Sequence, residues 1–328
     1  MKETTSALCL RETDRLLHPF LHRKIHIRTR LVMPSMCFRA VPREELVRER
    51  MRAYTHVAAR QIGLIVTDPI AVNDESARED DLTPGLNDAA GWRDWRRICR
   101  AVQASDCRIA AQLCHAGMLC RSGKAAGPSG IDPVSLEHLG ESMSRDRIHE
   151  VARAFGEAAG IARRIGFDAV EIQGGQGGLI EQFLNPATNK REDEYGGDAV
   201  SRTRFACEVL HAVRKAVGRY FPIIFRLSFR SRTEGVAETP AELESFLRHF
   251  CDAGVDIFAC SGQGAHEPAF HGAPLSVAGW IRLLTQRPVI TDIGADTSSL
   301  RLMQINRALR AGEFDLVALV HALAADTI

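Results

Sequence analysis

Eight short runs of aliphatic or β-branched residues recur along the chain, and between them lie stretches with the period of an amphipathic helix. The apolar runs fall at 31–33, 63–66, 109–113, 169–172, 223–227, 257–259, 289–290 and 316–319, and the helical patterns at 43–60, 92–103, 144–164, 202–217, 241–253, 276–286 and 299–311. Strands that are apolar on both faces must be covered on both faces, which is the condition of a parallel sheet wrapped by helices. Eight such units predict the closed (β/α)₈ barrel. A doubly wound open sheet is the runner-up, but it needs a phosphate loop opening the first helix, and the turn after the first run reads Pro34-Ser35-Met36-Cys37 without a glycine. The third helical pattern is the clearest: Ile148, Val151, Phe155, Ala158, Ala159 and Ala162 form one stripe behind a Ser144 cap.

The chain reads as a single barrel domain over residues 1–328. Residues 115–143, rich in Gly, Pro and Ser, are expected to form a capping excursion over the barrel mouth. The charge-dense segment 43–52 reads as a solvated helix face. A formal net charge of +1 gives no electrostatic reason to expect nucleic acid or an anionic membrane as partner. No apolar run approaches the roughly 20 residues a membrane span requires, and residues 1–10 lack a secretory signal's apolar stretch. Nine cysteines without paired spacing suit a reducing compartment. A cytoplasmic protein acting on a small molecule is therefore expected.

In a parallel barrel the chemistry sits at the C-terminal strand ends. Those ends supply Cys37, Thr67 and Asp68, Gln112 and His115, Gln173 and Gln176, Arg226 and Ser228, Ser261, Asp292 and His321. Most polar strand ends are turn chemistry. Arg226 differs because it lies inside the apolar run Ile223-Ile224-Phe225-Arg226-Leu227, where a guanidinium needs an anion; a bound ligand and a structural ion pair both satisfy that need. A Schiff-base aldolase is disfavoured, since the five lysines (Lys2, Lys24, Lys124, Lys190 and Lys215) all fall outside the strand ends. No metal site is expected: His266, Glu267 and His271 have ligand chemistry but sit in a Gly/Pro-rich loop.

Several segments together resemble the old yellow enzymes, FMN-dependent ene-reductases of the NADH:flavin oxidoreductase type built on a (β/α)₈ barrel. The likeness runs from about His18 to Ala325. It is carried by Arg30 to Met36, Gly63 to Thr67, Gln112 to Gly117, Gly166 to Ile172, and above all by Gln182-Phe183-Leu184-Asn185-Pro186 followed by Asn189-Lys190-Arg191 and Asp193-Glu194-Tyr195-Gly196-Gly197, then Arg202 and Arg204-Phe205. The resemblance implies FMN as cofactor and NAD(P)H as reductant. It implies that Pro34, Ser35 and Met36 give backbone to the flavin ring, with Thr67 nearby and Cys37 where one subclass keeps a cysteine. It implies that Gln112 pairs with the pyrimidine edge and that Arg226 faces N1 and O2, where reduction places negative charge.

The chain also departs from that pattern. Where the family has a His/His or His/Asn pair and then a tyrosine, this chain reads Gln173-Gly174-Gly175-Gln176-Gly177-Gly178. Two amides can donate to a substrate carbonyl, but Gly178 cannot deliver a proton. At the phosphate end the family's glycine pair and Gly-Arg become Ile293-Gly294 and Val320-His321, leaving Gly262, Gly264, Gly294, Arg282 and His321 as candidates. FMN retention is thus expected to be weak or lost. The closing helix that would follow the last strand is expected to be absent, so Leu316, Val317 and Leu319 are expected to be covered by a second subunit in a homo-oligomer, or else by the residues before His18 folding back. The leading expectation is an NAD(P)H-dependent flavin oxidoreductase with a remodelled pocket. The alternatives are a redox-neutral isomerase or cyclase and a non-catalytic, flavin-free barrel.

Overall fold

A computed structural model of the chain describes residues 15–37, 45–86, 89–121, 124–228, 237, 239–261, 268–272, 274–292 and 299–319. Eight parallel strands alternate with helices: β1 (Leu31–Met33), α1 (Leu46–Ala58), β2 (Leu64–Val66), α2 (Ala89–Gln103), β3 (Arg108–Cys114), α3 (Arg145–Ile165), β4 (Ala169–Gly174), α4 (Leu179–Leu184), α5 (Ala199–Val217), β5 (Ile223–Ser228), α6 (Pro240–Asp252), β6 (Ile257–Ser261), α7 (Val277–Thr285), β7 (Val289–Asp292), α8 (Ser299–Ala311) and β8 (Leu316–Ala318). Each strand pairs in parallel with the next, and β8 pairs with β1, with Val317 opposite Leu31. The predicted (β/α)₈ barrel is therefore closed. Closure leaves no strand edge to cover.

Alternation along the strands divides the apolar residues into two cores. Val32, Leu64, Val66, Ala110, Ala169, Ile224, Ile257, Ala259, Ile290, Leu316 and Ala318 fill the barrel interior. The outward positions pack under the helices. The α3 stripe behaves as its period predicts: all six residues are buried, and Ser144 Oγ accepts the Arg147 N–H as cap. An antiparallel hairpin, Phe20–His22 with Ile25–Ile27, packs against the lower end of this interior. Phe20, Ile25 and Ile27 join the interior cluster, while Leu21 on the other face is exposed. Arg28 follows the hairpin and ties it to α1, donating to the carbonyls of Ala58, Arg60, Ile62 and Ser105.

Two expectations are corrected. Leu316, Val317 and Leu319 are all buried within the single chain. Leu316 faces the barrel interior, and Val317 and Leu319 share a cluster with Ile305, Leu309 and Leu16, the last from the segment before His18, so the cover comes from the chain itself. The segment 43–52 is also not a uniformly solvated face, because Arg50 is buried and turned toward the barrel. Its neighbours one turn away, Leu46 and Tyr54, are buried on the same side.

Between β3 and α3 the chain forms a 3₁₀ turn at Gly117–Leu119 and a pair of two-residue strands, Ala126–Gly127 and Glu141–Ser142. Gln182 of α4 fastens this excursion, accepting from Met118 N and donating to the carbonyls of Ala116 and Gly177. Residues 320–328, where a closing helix was expected to be missing, lie outside the described residues. The hairpin gives a direct test. Ile27→Ala is expected to destabilise the fold by about 2–5 kcal/mol in urea unfolding, whereas Leu21→Ala stays within about 0.5 kcal/mol; equal effects would show that the hairpin seals nothing.

Candidate active site

At the C-terminal end of the barrel the interior changes from apolar to polar. The next inward positions above Ala110, Ala169 and Ile224 are Gln112, Glu171 and Arg226, all of them buried. Arg226 Nε donates to Glu171 Oε1 at 2.8 Å, and Gln112 Nε2 donates to the same oxygen at 2.7 Å. Ser35 Oγ, in the turn after β1, donates to Gln112 Oε1 at 2.9 Å. Burial opposes the charge on Arg226, but the adjacent Glu171 carboxylate outweighs it and raises the guanidinium's pKa, so Arg226 is a cation. The other Glu171 oxygen, Oε2, is buried with no hydrogen-bond partner among the described residues. A buried carboxylate oxygen left in that state is an acceptor awaiting a donor.

The polar chain continues outward. Gln112 Nε2 also reaches Gln173 Oε1 at 3.4 Å, and Gln173 Nε2 donates to Gln176 Oε1 at 2.8 Å. Gln176 holds a left-handed backbone, φ 58°, which its N–H stabilises by donating to Ser228 Oγ at 2.8 Å. Gly175 permits this approach, because a Cβ there would stand 2.4 Å from Ser228 Oγ. Gly177 N donates to Glu181 Oε2, which pins the turn to α4. Beside this turn opens a cleft of about 130 Å³, whose lining includes Cys37, Arg50, Asp68, Cys114, His115, Gln173, Gln176 and Gly178.

One wall of the cleft is a buried ion pair. Arg50 Nε and Nη2 donate to Asp68 Oδ2 at 2.8 and 2.5 Å, and Tyr54 Oη donates to Asp68 Oδ1 at 2.7 Å. Another wall is His115, whose Nδ1 accepts from Gly117 N at 3.0 Å while Nε2 faces Asp74 Oδ1 at 3.0 Å. That pattern requires a neutral imidazole with its proton on Nε2. A proton on Nδ1 would confront the Gly117 N–H. Burial accordingly lowers the His115 pKa and outweighs the pull of Asp74. Burial pushes the Asp74 carboxyl up, but hydrogen bonds from His115 and Ser76 hold it well below the usual carboxylate range, and Arg147 supplies a nearby cation at 3.2 Å.

The structure thus brings together Ser35, Gln112, Gln173, Gln176 and Arg226 from the expected set. Pro34 is buried and Met36 packs on the core beside them. Thr67 is fully buried, its hydroxyl accepting from Gln112 N. Cys37 is exposed on the cleft, whereas burial pushes the Cys114 thiol up. Gly262, Gly294 and His321 lie outside the described residues, as does the His266-Glu267 pair. Among the described residues no cluster of three metal-ligating side chains occurs, and no helix is long and apolar enough to cross a membrane. Sequence reading missed Glu171 as the partner of Arg226. Its signal was a charged residue at an inward position of an apolar strand, two places from Gln173.

A closed parallel barrel with a buried polar layer and a cleft at its C-terminal mouth defines a barrel enzyme. The chain belongs to the NADH:flavin oxidoreductase / NADH oxidase family, whose sequence model matches residues 15–263. It is 31% identical over 321 residues to an NADPH dehydrogenase from Bacillus licheniformis, covering 95% of this chain and 91% of that protein. It is also 31% identical to a metal reductase from Desulforamulus reducens, but there the match covers 92% of this chain and spans only 46% of the relative's length. Among solved structures, morphinone reductase superposes with a TM-score of 0.77 at 23% identity over 94% of this chain and 86% of its own, and the old yellow enzyme from Trypanosoma cruzi with 0.80 at 20% identity over 93% and 88%. The flavin oxidoreductase class and the barrel expected from the sequence both stand.

The neutral imidazole has a consequence for pH. A histidine with a lowered folded pKa binds its proton more readily when unfolded, so its contribution to stability is complete above about pH 6.5 and declines below it. Asp74, held low, acts in the same direction only in more acid solution. Stability is expected to fall between pH 7 and 5, and His115→Asn to flatten that slope in urea unfolding; an unchanged slope would contradict the assignment.

Proposed function

We propose that this protein binds FMN across the barrel mouth and uses NAD(P)H to reduce quinone-like or other small conjugated carbonyl acceptors, in a pocket remodelled around Gln173, Gln176 and Gly178. The observation that carries the reading is the buried layer of Gln112, Glu171 and Arg226 beneath the cleft. A fixed cation and an amide suit the carbonyl-rich edge of an isoalloxazine, and the orphaned Glu171 Oε2 suits a ligand that brings an N–H. The donor set therefore fits the ring. When bound, the flavin supplies two-electron hydride chemistry.

The chain's own residues have separate tasks in this reading. Arg226 stabilises negative charge on the ring, and its buried setting makes that stabilisation larger than it would be in water. Pro34, Ser35, Met36 and Thr67 frame the ring from the first two strand ends. Gln173 and Gln176 stand over the cleft to hold an acceptor oxygen, with Cys37 at its rim. No tyrosine is available to protonate carbon: Tyr54 is engaged with Asp68, Tyr195 Oη with His149 and Glu208, and Tyr220 is exposed under the Lys24 ammonium. At the phosphate end, Gly262, Gly294 and His321 replace a stronger set, and losing one charge-assisted bidentate contact costs roughly 2–3 kcal/mol, or about two decades of affinity. FMN binding is correspondingly weaker than is usual in the family.

Purified protein titrated with FMN should develop a bound-flavin absorption band, and Arg226→Ala should lose it. Equal flavin content in the two proteins would remove the ring assignment. A wild-type protein with no binding at millimolar FMN would favour the redox-neutral or flavin-free readings.

Acceptor choice follows from Gly178. Missing general-acid catalysis typically costs ~10² to 10⁴ in rate, a loss that falls on alkenes protonated at carbon and not on quinones protonated at oxygen by solvent. NADPH oxidation should therefore be appreciable with quinones and poor with cyclohexenone. Gly178 has an ordinary extended backbone, φ −65° and ψ 167°, and a Cβ there would meet only carbonyls at 3.4 Å and Gln173 Cγ at 3.9 Å. Gly178→Tyr should accordingly raise cyclohexenone turnover by at least roughly tenfold. Fast cyclohexenone reduction by the wild type would show that another group delivers the proton.

A further inference from the structure

Neutral amides can be turned end for end at little cost, so a chain of them has no inherent direction. Here one end of the chain cannot turn. The Glu171 carboxylate only accepts, and its Oε1 takes Arg226 Nε at 2.8 Å and Gln112 Nε2 at 2.7 Å. Gln112 must therefore present its NH₂ to Glu171 and its oxygen to Ser35, whose hydroxyl donates at 2.9 Å. The same NH₂ reaches Gln173 Oε1 at 3.4 Å, which leaves the Gln173 NH₂ to donate to Gln176 Oε1 at 2.8 Å. Gln176 is then left with its NH₂ as the group offered to the cleft it lines.

We infer that Glu171 is a positioning residue that sets the hydrogen-bond polarity of this amide chain, so that Gln176 presents its N–H donors to the cleft and this side of it reads an acceptor oxygen, as of a carbonyl or quinone, rather than a hydroxyl or amine donor. Gln176 is fixed at the same time from its backbone. Its N–H donates to Ser228 Oγ, which shares a hydrogen bond with Ser261 Oγ at 2.8 Å, and Ser261 Oγ also lies within reach of Leu227 O. The side chain thus stands on a rigid base and its direction is settled at the far end, three residues inside the barrel. Unlike imidazoles, these amides keep one polarity at every pH between the titrations of carboxylates and amines. Glu171 has a second effect through Arg226. It offsets part of the guanidinium's field at the place where the ring would lie, and this effect, unlike the polarity, rests on the flavin reading.

Two measurements separate the two parts. Neutron diffraction from deuterium-exchanged wild-type crystals distinguishes amide nitrogen from oxygen without any cofactor. It should show the deuterated Gln176 nitrogen facing the cleft and the Gln112 nitrogen facing Glu171; either amide in the opposite sense overturns the proposal. In the FMN-loaded enzyme, Glu171→Gln removes the charge and the fixed direction while keeping the shape, and Glu171→Asp keeps the charge. Glu171→Gln should favour reduced over oxidised flavin by about tenfold, a shift of about 30 mV to more positive midpoint potential for a two-electron couple. It should also weaken cyclohexenone binding, read from the flavin band, by about tenfold. Glu171→Asp should leave the potential near that of wild type. An unchanged potential together with unchanged cyclohexenone affinity in Glu171→Gln overturns the positioning role. Absence of bound flavin in the wild type overturns the flavin reading alone, and the neutron result still decides the polarity.

Discussion

A carboxylate placed inside a barrel of aliphatic side chains is stable only if its charge is met there, and the Glu171–Arg226 pair is the interaction around which the mouth of this protein is arranged. Removing one member would leave the other as an uncompensated charge in an apolar layer, a loss on the order of 3–5 kcal/mol. The pair joins two adjacent strands, β4 and β5, at the height where the interior passes from Ala169 and Ile224 to polar groups. Every polar contact above it depends on that placement. Gln112 is oriented by Glu171, Ser35 by Gln112, and Gln173 by Gln112 in turn.

The wall of the cleft repeats the same solution with other residues. Arg50 comes from α1, outside the barrel, yet it meets Asp68 at the end of β2 in a pair that is buried on both sides and closed by Tyr54. His115, Asp74 and Arg147 form a third set, in which a neutral imidazole separates a backbone N–H from a carboxylate. In these three sets the charges are already compensated, while Glu79 and Asp80 add acidic groups to the same lining.

The barrel was legible because its strands are apolar on both faces and its helices carry a strong period; all eight runs became strands, with no end displaced by more than two residues. What escaped the pattern escaped for physical reasons. The hairpin at Phe20–His22 and Ile25–Ile27 mixes buried Phe20 with exposed Leu21 and turns at Arg23, whose φ of 51° has no glycine to announce it. Helix α4 has only six residues, all of them buried, so its period could not be read. Within the site, Gln112, Gln173, Gln176 and Arg226 were found as polar residues at strand ends. Glu171 was passed over because its partner lies 55 residues away, and register between strands is invisible to a linear reading. Arg50 was misjudged because charge density was weighed before helical position, although Leu46, Tyr54 and Val57 mark its side of α1 as the buried one.

Closure of the barrel by β1 against β8 also governs the order in which the chain can become stable. Arg30 donates to Asp315 O across 285 residues, and Val317 lies opposite Leu31. During synthesis β1 emerges early, fully apolar, and must wait for nearly the whole remaining chain before its second edge is paired. Loop-closure entropy makes such contacts late and slow. Until β8 arrives, the strand Leu31–Met33 and the apolar side of the hairpin are a template for association with other chains. The pairing of β1 with β8 is therefore the last contact of the barrel to form, and it is set by strand order and not by the polar groups at the mouth.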